Sequence, residues 1–289
     1  MRDPGPDPVG RRRGNERIDR LPETVLRVVG RYARRLVRPS GRRYLLLTEY
    51  IEGARTTTME ARPSEEDLQE ILSALARIHA HWWRHPDLSD EQLMSWPTVT
   101  QTPRLMDGLY HASRSDVAKR WPDLFTPHLI GLTDWFSDHV VEAIGFVNDP
   151  LALLRGDTRS DNMLFCDDGL VMVDFGNLSS GRPTFDVATL LSSTSTPGPE
   201  ALANFERLAS GYHQELTGAG IDDYPLAQFR NDLDVCLILN AYLLVLAAAH
   251  YHADYAGGSL AEIWGSRILD VLPENVPVLH ELVAVESRF

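Results

Sequence analysis

Apolar residues recur at helical spacing through most of the chain after residue 64. Ser64 suits an N-cap, and the helix predicted after it buries one stripe of side chains: Leu68, Ile71, Leu72, Leu75, Ile78 and Trp82. Further amphipathic helices are predicted near 127–144, 199–217 and 228–251. The apolar run 235–249 spans fifteen residues, whereas a bilayer span needs about 20. We therefore predict a buried core helix there and no membrane segment.

Patterns typical of β-strands are short and lie in two places. The run 44–51 is apolar and β-prone and ends at Glu52-Gly53, which predicts a strand and a turn after a helix over about 22–36. Three short apolar runs lie in the middle of the chain: 151–154, 163–166 and 170–173. The Asp168-Gly169 pair between the last two runs predicts a hairpin. A helical body with one hairpin gives an α+β fold class.

Charge is distributed unevenly in this chain of 289 residues, whose formal net charge is -13. Residues 1–43 carry thirteen arginines against five acidic residues. The first twenty lack the aromatic side chains that stack on bases, so we expect a disordered basic segment and no nucleic-acid partner. Two cysteines, Cys166 and Cys236, are too few for a disulfide framework, and no apolar signal region occupies the start. These features favour a cytoplasmic protein.

Polar residues at the spacing of kinase catalytic motifs flank the predicted hairpin. Asp157, four intervening residues and Asn162 lie before it, and Asp174-Phe175-Gly176 lies after it. Phosphoryl transfer needs a carboxylate to orient the attacking hydroxyl and oxygen ligands to hold Mg²⁺ against the nucleotide phosphates. Each short motif alone is weak, and an ordinary hairpin with solvated acidic loops is the alternative. Their order and spacing together favour a catalytic site.

The residues around these motifs add a resemblance to a known family. Residues 154–165 resemble the signature loop of the aminoglycoside phosphotransferase and choline kinase superfamily, with its Gly156-Asp157 and Asp161-Asn162 pairs in place. The segment Phe185-Asp186-Val187-Ala188 resembles the family segment whose aspartate, here Asp186, braces the catalytic loop.

The resemblance covers roughly residues 44–250, and 46–53 resembles the linker between the two kinase lobes. It implies a protein-kinase-like fold with a reduced N-terminal lobe and a large, mostly helical C-terminal lobe. The expected divisions are a disordered basic segment at 1–20, a remnant of the N-terminal lobe and linker at 21–53, and the helical lobe with the catalytic hairpin at 54–289.

The same resemblance implies roles for individual residues. Asp157 is the expected catalytic base, and Asn162 and Asp174 are the expected Mg²⁺ ligands. Arg159 either directs its guanidinium at the transferring phosphate or is a solvated loop arginine. The expected ATP-binding positions lie in the linker: Leu47, Glu49 and Ile51. The implied activity is ATP- and Mg²⁺-dependent transfer of the γ-phosphate to a hydroxyl of a small molecule, with cationic acceptors suited to the acidic chain.

Two departures from the family pattern qualify this expectation. Arg155 replaces the usual histidine, and because it is larger and permanently charged, the catalytic loop must be braced differently. Lys119 is the only lysine and lies in the helical lobe, so the lysine that pairs with ATP is missing. Two interpretations follow: a fragment of a complete kinase, or a shortened chain that survives as a pseudokinase or ligand-binding module.

One group of histidines suggests a competing site. His79, His81 and His85 lie close together in sequence, which raises the alternative of a zinc site. His81 and His85 can share a helix face whereas His79 and His81 cannot, so this alternative is not favoured.

Overall fold

A computed structural model of the chain describes residues 36–37, 44–45, 50–89, 103–146, 150–250, 254–255 and 258–276. The α-helices of this part are α1 (Glu65–His81), α2 (Pro103–Arg120), α3 (Pro127–Asp138), α4 (Val140–Phe146), α5 (Thr184–Thr194), α6 (Ala201–Gly218), α7 (Leu226–His250) and α8 (Leu260–Ile268). Its strands are β1 (Leu36–Val37), β2 (Tyr44–Leu45), β3 (Arg55–Thr56), β4 (Ala152–Leu154), β5 (Met163–Cys166), β6 (Gly169–Met172), β7 (Ser179–Gly181), β8 (Asp254–Tyr255) and β9 (Gly258–Ser259).

The chain divides into two compact units. The smaller comprises residues 1–55 and 164–173, and the larger comprises residues 56–163 and 174–289. In the smaller unit β1 pairs antiparallel with β2. A three-stranded sheet has the order β3, β5, β6. All of the described helices belong to the larger unit. The predicted domain divisions at residues 20 and 53 stay a prediction.

Helix α7 forms the centre of the larger unit, where it packs against α2, α3, α5 and α8. It is buried on all sides rather than along one stripe. Within the described part of the chain, α7 is the helix long and apolar enough to cross a membrane, but 72% of its most apolar window is buried in the protein. Each large apolar side chain buried in this way contributes about 1.5–3 kcal/mol. The core helix predicted from the apolar run is therefore confirmed.

Helix α1 begins where the sequence predicts. The Ser64 side chain accepts a hydrogen bond from the Asp67 backbone N–H, and the Asp67 carboxylate accepts one from the Ser64 N–H, both at 3.1 Å. This reciprocal capping box satisfies two N–H groups that the first helical turn leaves unpaired. The apolar stripe predicted for this helix is buried, and α1 packs mainly against α6.

Several predicted boundaries were wrong. The helix expected at 127–144 is two helices, since the chain leaves the helical conformation at His139, which caps α3 before α4 begins. Leu36 lies in a strand rather than at the end of a helix, and Tyr50 and Ile51 lie outside any strand. The remainder of those two predictions, 22–35 and 46–49, falls outside the described residues. Helices α2, α5 and α8 were not predicted, because α2 is weakly amphipathic and α5 is buried all round.

Strands β4 and β7 position the predicted catalytic segments. They pair antiparallel with Leu154 opposite Ser179, and every residue of both strands is buried. The loop 155–162 leaves β4 immediately after this pair, and the loop 174–178 enters β7 immediately before it. Both loops are therefore attached to the same end of one rigid ladder, although the sequence places them more than ten residues apart.

Gly156 lies two residues beyond the end of β4, next to the chain that leads into β7. Its φ angle is +81°, and a Cβ atom added there would overlap the carbonyl oxygen of Asn177. Gly220 follows α6 with a comparable φ of +97°, but a Cβ added there would have nothing within 4 Å. The two glycines share a conformation that L side chains rarely adopt and differ in the space available.

We expect Gly156→Ala to lower the free energy of unfolding by about 3 kcal/mol or more, from backbone strain plus overlap. Gly220→Ala is the matched control and should lose only about 1–2 kcal/mol from strain. Chemical denaturation of both variants measures the difference. Equal losses would show that the close approach to Asn177 contributes nothing.

Asp234 on α7 gives the larger unit a specific pH dependence. Burial, and secondarily the charge of Glu206, raise the pKa of Asp234 to about 6. The unfolded chain has the lower, ordinary pKa, so the folded state binds the extra proton between roughly pH 4 and 6. The contribution of Asp234 to the free energy of unfolding therefore falls as pH rises through this window. Above about pH 6 the carboxylate is ionised in the folded state, and the full cost of burying its charge is present.

We expect Asp234→Asn to stabilise the protein by about 1–2 kcal/mol at pH 7.5, after allowance for solvent screening, and by nothing near pH 4. The matched control is Asp116→Asn on α2, since the Asp116 side chain is 86% exposed and should change stability by less than about 0.5 kcal/mol. Thermal unfolding across this pH range gives both values. A gain for Asp234→Asn that does not vary with pH would contradict the assignment.

Candidate active site

The loop 155–162 folds so that Asp157 and Asn162 meet. The Arg159 N–H donates to the Asp157 carbonyl at 3.0 Å, and the Asn162 N–H donates to the Arg159 carbonyl at 3.1 Å. A short 3-10 turn, Ser160–Asn162, then leads into β5. The Asn162 amide Nδ2 donates to the Asp157 carbonyl at 3.2 Å and to Asp157 Oδ2 at 3.3 Å. The structure thus brings together two of the residues that the sequence predicts for the site.

Asp186 in the first turn of α5 anchors the start of this loop. Its Oδ2 accepts the Arg155 backbone N–H at 2.7 Å, and its Oδ1 accepts the Gly156 N–H at 2.9 Å. Complete burial alone would raise the pKa of Asp186, but the hydrogen bond and charge of His79 and these two backbone N–H groups lower it by more. The carboxylate therefore stays ionised in the core and braces the loop, as the family resemblance implied.

His79 extends this anchor into α6. Its Nε2 lies 3.3 Å from Asp186 Oδ2, and its Nδ1 lies 2.7 Å from the Tyr212 hydroxyl oxygen. Because an ionised carboxylate only accepts hydrogen bonds, His79 donates to Asp186 from Nε2. The sequence pointed to His79 only through the zinc alternative, so this role was missed. Its position among the buried residues of α1 was the available signal, since a core imidazole needs polar partners.

Asp174 lies in a strained turn after β6. Its φ is +60°, which is uncommon for any residue other than glycine. The carboxylate is exposed, and its Oδ1 accepts the Gly176 N–H at 3.3 Å. The Leu178 N–H donates to the Phe175 carbonyl at 3.2 Å and closes the turn before β7. Asp174 therefore presents its side chain at the surface from a defined backbone conformation.

Arg155 is the first residue of the loop 155–162, and its side chain, which contacts both loops, leaves the residue 3% exposed. Its Nη1 donates to the Asp157 carbonyl, and its Nη2 donates to the Asp174 carbonyl at 3.1 Å. The guanidinium carbon also lies 5.7 Å from the centre of the Phe175 ring. The sequence indicated that an arginine here must brace the loop differently from histidine, and these contacts show how it does so.

Arg159 pairs with carboxylates of its own loop. Its Nε lies 3.1 Å from Asp157 Oδ1 and 3.5 Å from Asp161 Oδ1, and the Arg159 side chain is 20% exposed. Burial raises the pKa of Asp161, while the charge of Arg159 opposes the rise. The carboxylates of Asp157, the expected base, and Asp161 therefore both lie close to the Arg159 guanidinium. The predicted contact between Arg159 and a transferring phosphate stays a prediction.

The donor atoms of Asn162 and Asp174 fit the hard, oxygen-binding cation that the family implies. The Nδ2 end of Asn162 is directed at Asp157, which leaves its Oδ1 as the end that can bind a cation. Amide and carboxylate oxygens are the ligands that Mg²⁺ prefers. Within the described residues, no three or more His, Cys, Asp or Glu side chains form a metal-binding group. A cation held by these two residues would need further ligands from outside the described side chains, such as water.

The predicted nucleotide-binding positions are only partly visible. Leu47 and Glu49 lie outside the described residues, and Ile51 is half-buried in an irregular segment of the smaller unit. Lys119 lies at the end of α2 in the larger unit, where it is 76% exposed and 3.9 Å from Asp116. Its role is that of a surface residue on that helix.

Comparison with solved structures gives the fold. The chain resembles the choline kinase of Cryptosporidium parvum Iowa II, with 12% identity, a TM-score of 0.51 and coverage of 83% of this chain and 72% of that one. It also resembles an ethanolamine kinase of Plasmodium vivax, with 13% identity, a TM-score of 0.50 and coverage of 86% and 68%. The predicted α+β, protein-kinase-like fold with a large helical part is confirmed.

Sequence comparison gives the family. No curated protein sequence matches the chain. The profile described as "Phosphotransferase enzyme family" matches residues 17–218, a stretch that includes both loops and the Asp186 anchor. The resemblance to aminoglycoside phosphotransferases and choline kinases is confirmed, and the chain belongs to the phosphotransferase enzyme family.

Proposed function

We propose that the protein transfers the γ-phosphate of ATP, bound with Mg²⁺, to a hydroxyl group of a small molecule. The observation that carries the proposal is the contact between Asp157 and Asn162, with Arg155 joining their loop to that of Asp174. A carboxylate and two cation-binding oxygens held on adjacent loops are the protein groups that phosphoryl transfer requires.

Asp157 orients the acceptor hydroxyl and receives its proton as the bond to phosphorus forms. Both of its carboxylate oxygens already face donors, Arg159 Nε at 3.1 Å and Asn162 Nδ2 at 3.3 Å. These contacts fix the side-chain rotamer of Asp157. A fixed rotamer matters because the transition state of phosphoryl transfer is loose and positioning supplies most of the catalysis.

Asn162 and Asp174 would hold the cation, which neutralises the charge that develops on the phosphate oxygens. Asn162 is 8% exposed and is held by Asp157, whereas Asp174 is exposed and depends on its backbone turn for its position. The two ligands therefore differ in rigidity, and loss of the Asp174 carboxylate removes the charged one of the pair.

The acceptor is proposed to carry a cationic amine as well as a hydroxyl. The two solved structures of similar fold are named as a choline kinase and an ethanolamine kinase. The net charge of -13 favours cationic ligands through long-range attraction, which raises the rate of association rather than defining specificity. We place the reaction in the cytoplasm, where ATP and a reduced state of Cys166 and Cys236 are expected.

A second candidate is a ligand-binding protein of the same family that does not transfer phosphate. Lys119, the only lysine of the chain, is exposed on α2 beside Asp116, so no lysine is present to pair with the nucleotide phosphates. An arginine does not replace that lysine without a change of geometry. This candidate expects nucleotide binding that is weak or absent.

We expect Asp157→Asn to lower the rate of phosphate transfer by about 10²–10⁴-fold, because the amide accepts no proton. Asp167→Asn, in the exposed turn between β5 and β6, is the matched acidic control and should retain full activity. A coupled ATP-consumption assay with choline, ethanolamine and an aminoglycoside as acceptors measures both rates. Undiminished transfer by Asp157→Asn would exclude Asp157 as the base.

Nucleotide binding separates the two candidates without an acceptor. Calorimetric titration with Mg·ATP should show saturable binding that Asp174→Ala weakens by about tenfold or more, since one charged ligand of the cation is lost. Asp167→Asn should bind as the unmodified protein does. Absence of binding at millimolar Mg·ATP would favour the non-catalytic candidate.

A further inference from the structure

Arg155 joins the two loops of the site, but the proposed reaction assigns it no chemical step. It replaces a residue that is usually histidine in the family that the sequence resembles, and it is 3% exposed. Its side chain contacts both of the functional loops, which are 155–162 and 174–178. Its Nη1 and Nη2 atoms donate to the carbonyls of Asp157 and Asp174, respectively. These two residues are the proposed base and a proposed cation ligand, so Arg155 contacts the backbone of both halves of the site.

We propose that Arg155 is the positioning residue that fixes the spacing between the base and the cation-binding aspartate, and that it does so before a cation binds. This inference rests on the proposed function and deepens it. The two nitrogen atoms belong to one rigid, planar group, so their separation sets the separation of the two carbonyls. The guanidinium thus acts as a fork, with two N–H donors on neighbouring nitrogen atoms, and a histidine ring has no comparable pair of donors.

Backbone geometry on both sides of Arg155 supports this role. Asp174 has a φ of +60°, a conformation that costs free energy and persists only where its surroundings enforce it. The bond from Arg155 Nη2 to the Asp174 carbonyl, at 3.1 Å, is a contact that enforces it. On the other side, the Arg155 N–H is itself held by Asp186 at 2.7 Å. The fork is therefore anchored to α5 while it holds the strained turn.

The charges around Arg155 support the same role. Burial lowers the pKa of the guanidinium, and the carboxylates of Asp186, Asp157 and Asp174 oppose that effect, while the charge of Arg159 adds to it. An arginine retains its proton even when buried. Arg155 thus supplies a permanent positive charge among three carboxylates that would otherwise repel one another, and the two loops can approach without a bound cation.

A matched control exists elsewhere in the larger unit. Arg267 on α8 is 5% exposed and also donates to two backbone carbonyls, those of Ser193 at 2.5 Å and Glu60 at 3.2 Å. Loss of its guanidinium should destabilise the fold in the way that loss of a buried arginine does. It contacts neither functional loop, so it separates a structural effect from a positioning effect.

The first measurement is amide hydrogen exchange of the full chain without nucleotide or metal. We expect Arg155→Gln to accelerate exchange in both loops together, at 156–162 and 174–178, whose amides include several hydrogen-bonded donors. Arg267→Gln should leave the two loops unchanged relative to the rest of the protein. Unchanged exchange in either loop of Arg155→Gln would overturn the proposal, whether or not the protein binds nucleotide.

The second measurement is the affinity of Mn²⁺, as a paramagnetic substitute for Mg²⁺, in the presence of a non-hydrolysable ATP analogue. We expect Arg155→Gln to weaken Mn²⁺ binding by about 10–100-fold, the usual effect of losing a residue that orients a metal ligand. Arg155→Lys keeps the charge but lacks the fork and should recover only part of the affinity. Arg267→Gln should bind within about twofold of the unmodified protein despite a lowered Tm.

The two measurements distinguish failure of this proposal from failure of the proposed function. If the unmodified protein binds neither Mn²⁺ nor nucleotide, the proposed function fails, and the exchange experiment alone decides the role of Arg155. If the unmodified protein binds Mn²⁺ and Arg155→Gln binds it equally well, the positioning role fails while the proposed function stands. Equal weakening in Arg155→Gln and Arg267→Gln would also overturn the proposal, because a general loss of stability would then explain both.

Discussion

The arrangement of the site depends on one carboxylate that remains ionised in the core. Asp186 is fully buried, yet donors from three directions hold its pKa below the usual range: two consecutive backbone N–H groups, from Arg155 and Gly156, and the His79 imidazole. A carboxylate that accepts several hydrogen bonds stays charged where burial alone would protonate it. Because Asp186 lies on α5, a helix in which every residue is buried, the loop that carries Asp157 takes its position from the close-packed core of the larger unit.

Negative charge exceeds positive charge in and around the two loops of the site. This excess suits the divalent cation that the proposed function requires. Among the described residues around the site, the carboxylates of Asp157, Asp161, Asp174 and Asp186 face the guanidiniums of Arg155 and Arg159. The two arginines act differently, since Arg155 bonds to backbone carbonyls whereas Arg159 pairs with side-chain carboxylates. Under the proposed function, a bound divalent cation would offset the remaining excess of negative charge.

Features set by residues close in sequence could be predicted, and those set by distant pairs could not. The capping box at Ser64, the apolar core of α7 and the strands β5 and β6 each follow from neighbouring residues, and the loop 155–162 was recognised from its motif. The pairing of β4 with β7 joins segments separated by the whole hairpin, and no local pattern specifies it. Helix α5 was not predicted, because a helix that is buried on all sides lacks the amphipathic pattern by which helices are recognised. The sequence marked Arg155 as unusual but could not identify its partners, which are fixed only when the ladder aligns both loops.

Arginine suits the buried cationic positions of this protein, because a buried cation must keep its charge and reach acceptors in the surrounding structure. Arg155, Arg182 and Arg267 are each less than 6% exposed. Arg155 and Arg267 each donate to two backbone carbonyls, and Arg182 donates to the buried Asp232 carboxylate of α7. A buried lysine would tend to lose its proton and offers donors from a single nitrogen atom, whereas a guanidinium keeps its charge and can bridge two acceptors. A chain that contains one lysine and twenty-seven arginines is thus well supplied with groups that fix geometry. It has a single lysine, the side chain that contacts phosphate as a point charge on a flexible stem. If this chain transfers phosphate, neutralisation of the phosphate charge falls chiefly to the cation, which makes the spacing of its protein ligands, and so the position of Arg155, the more critical constraint.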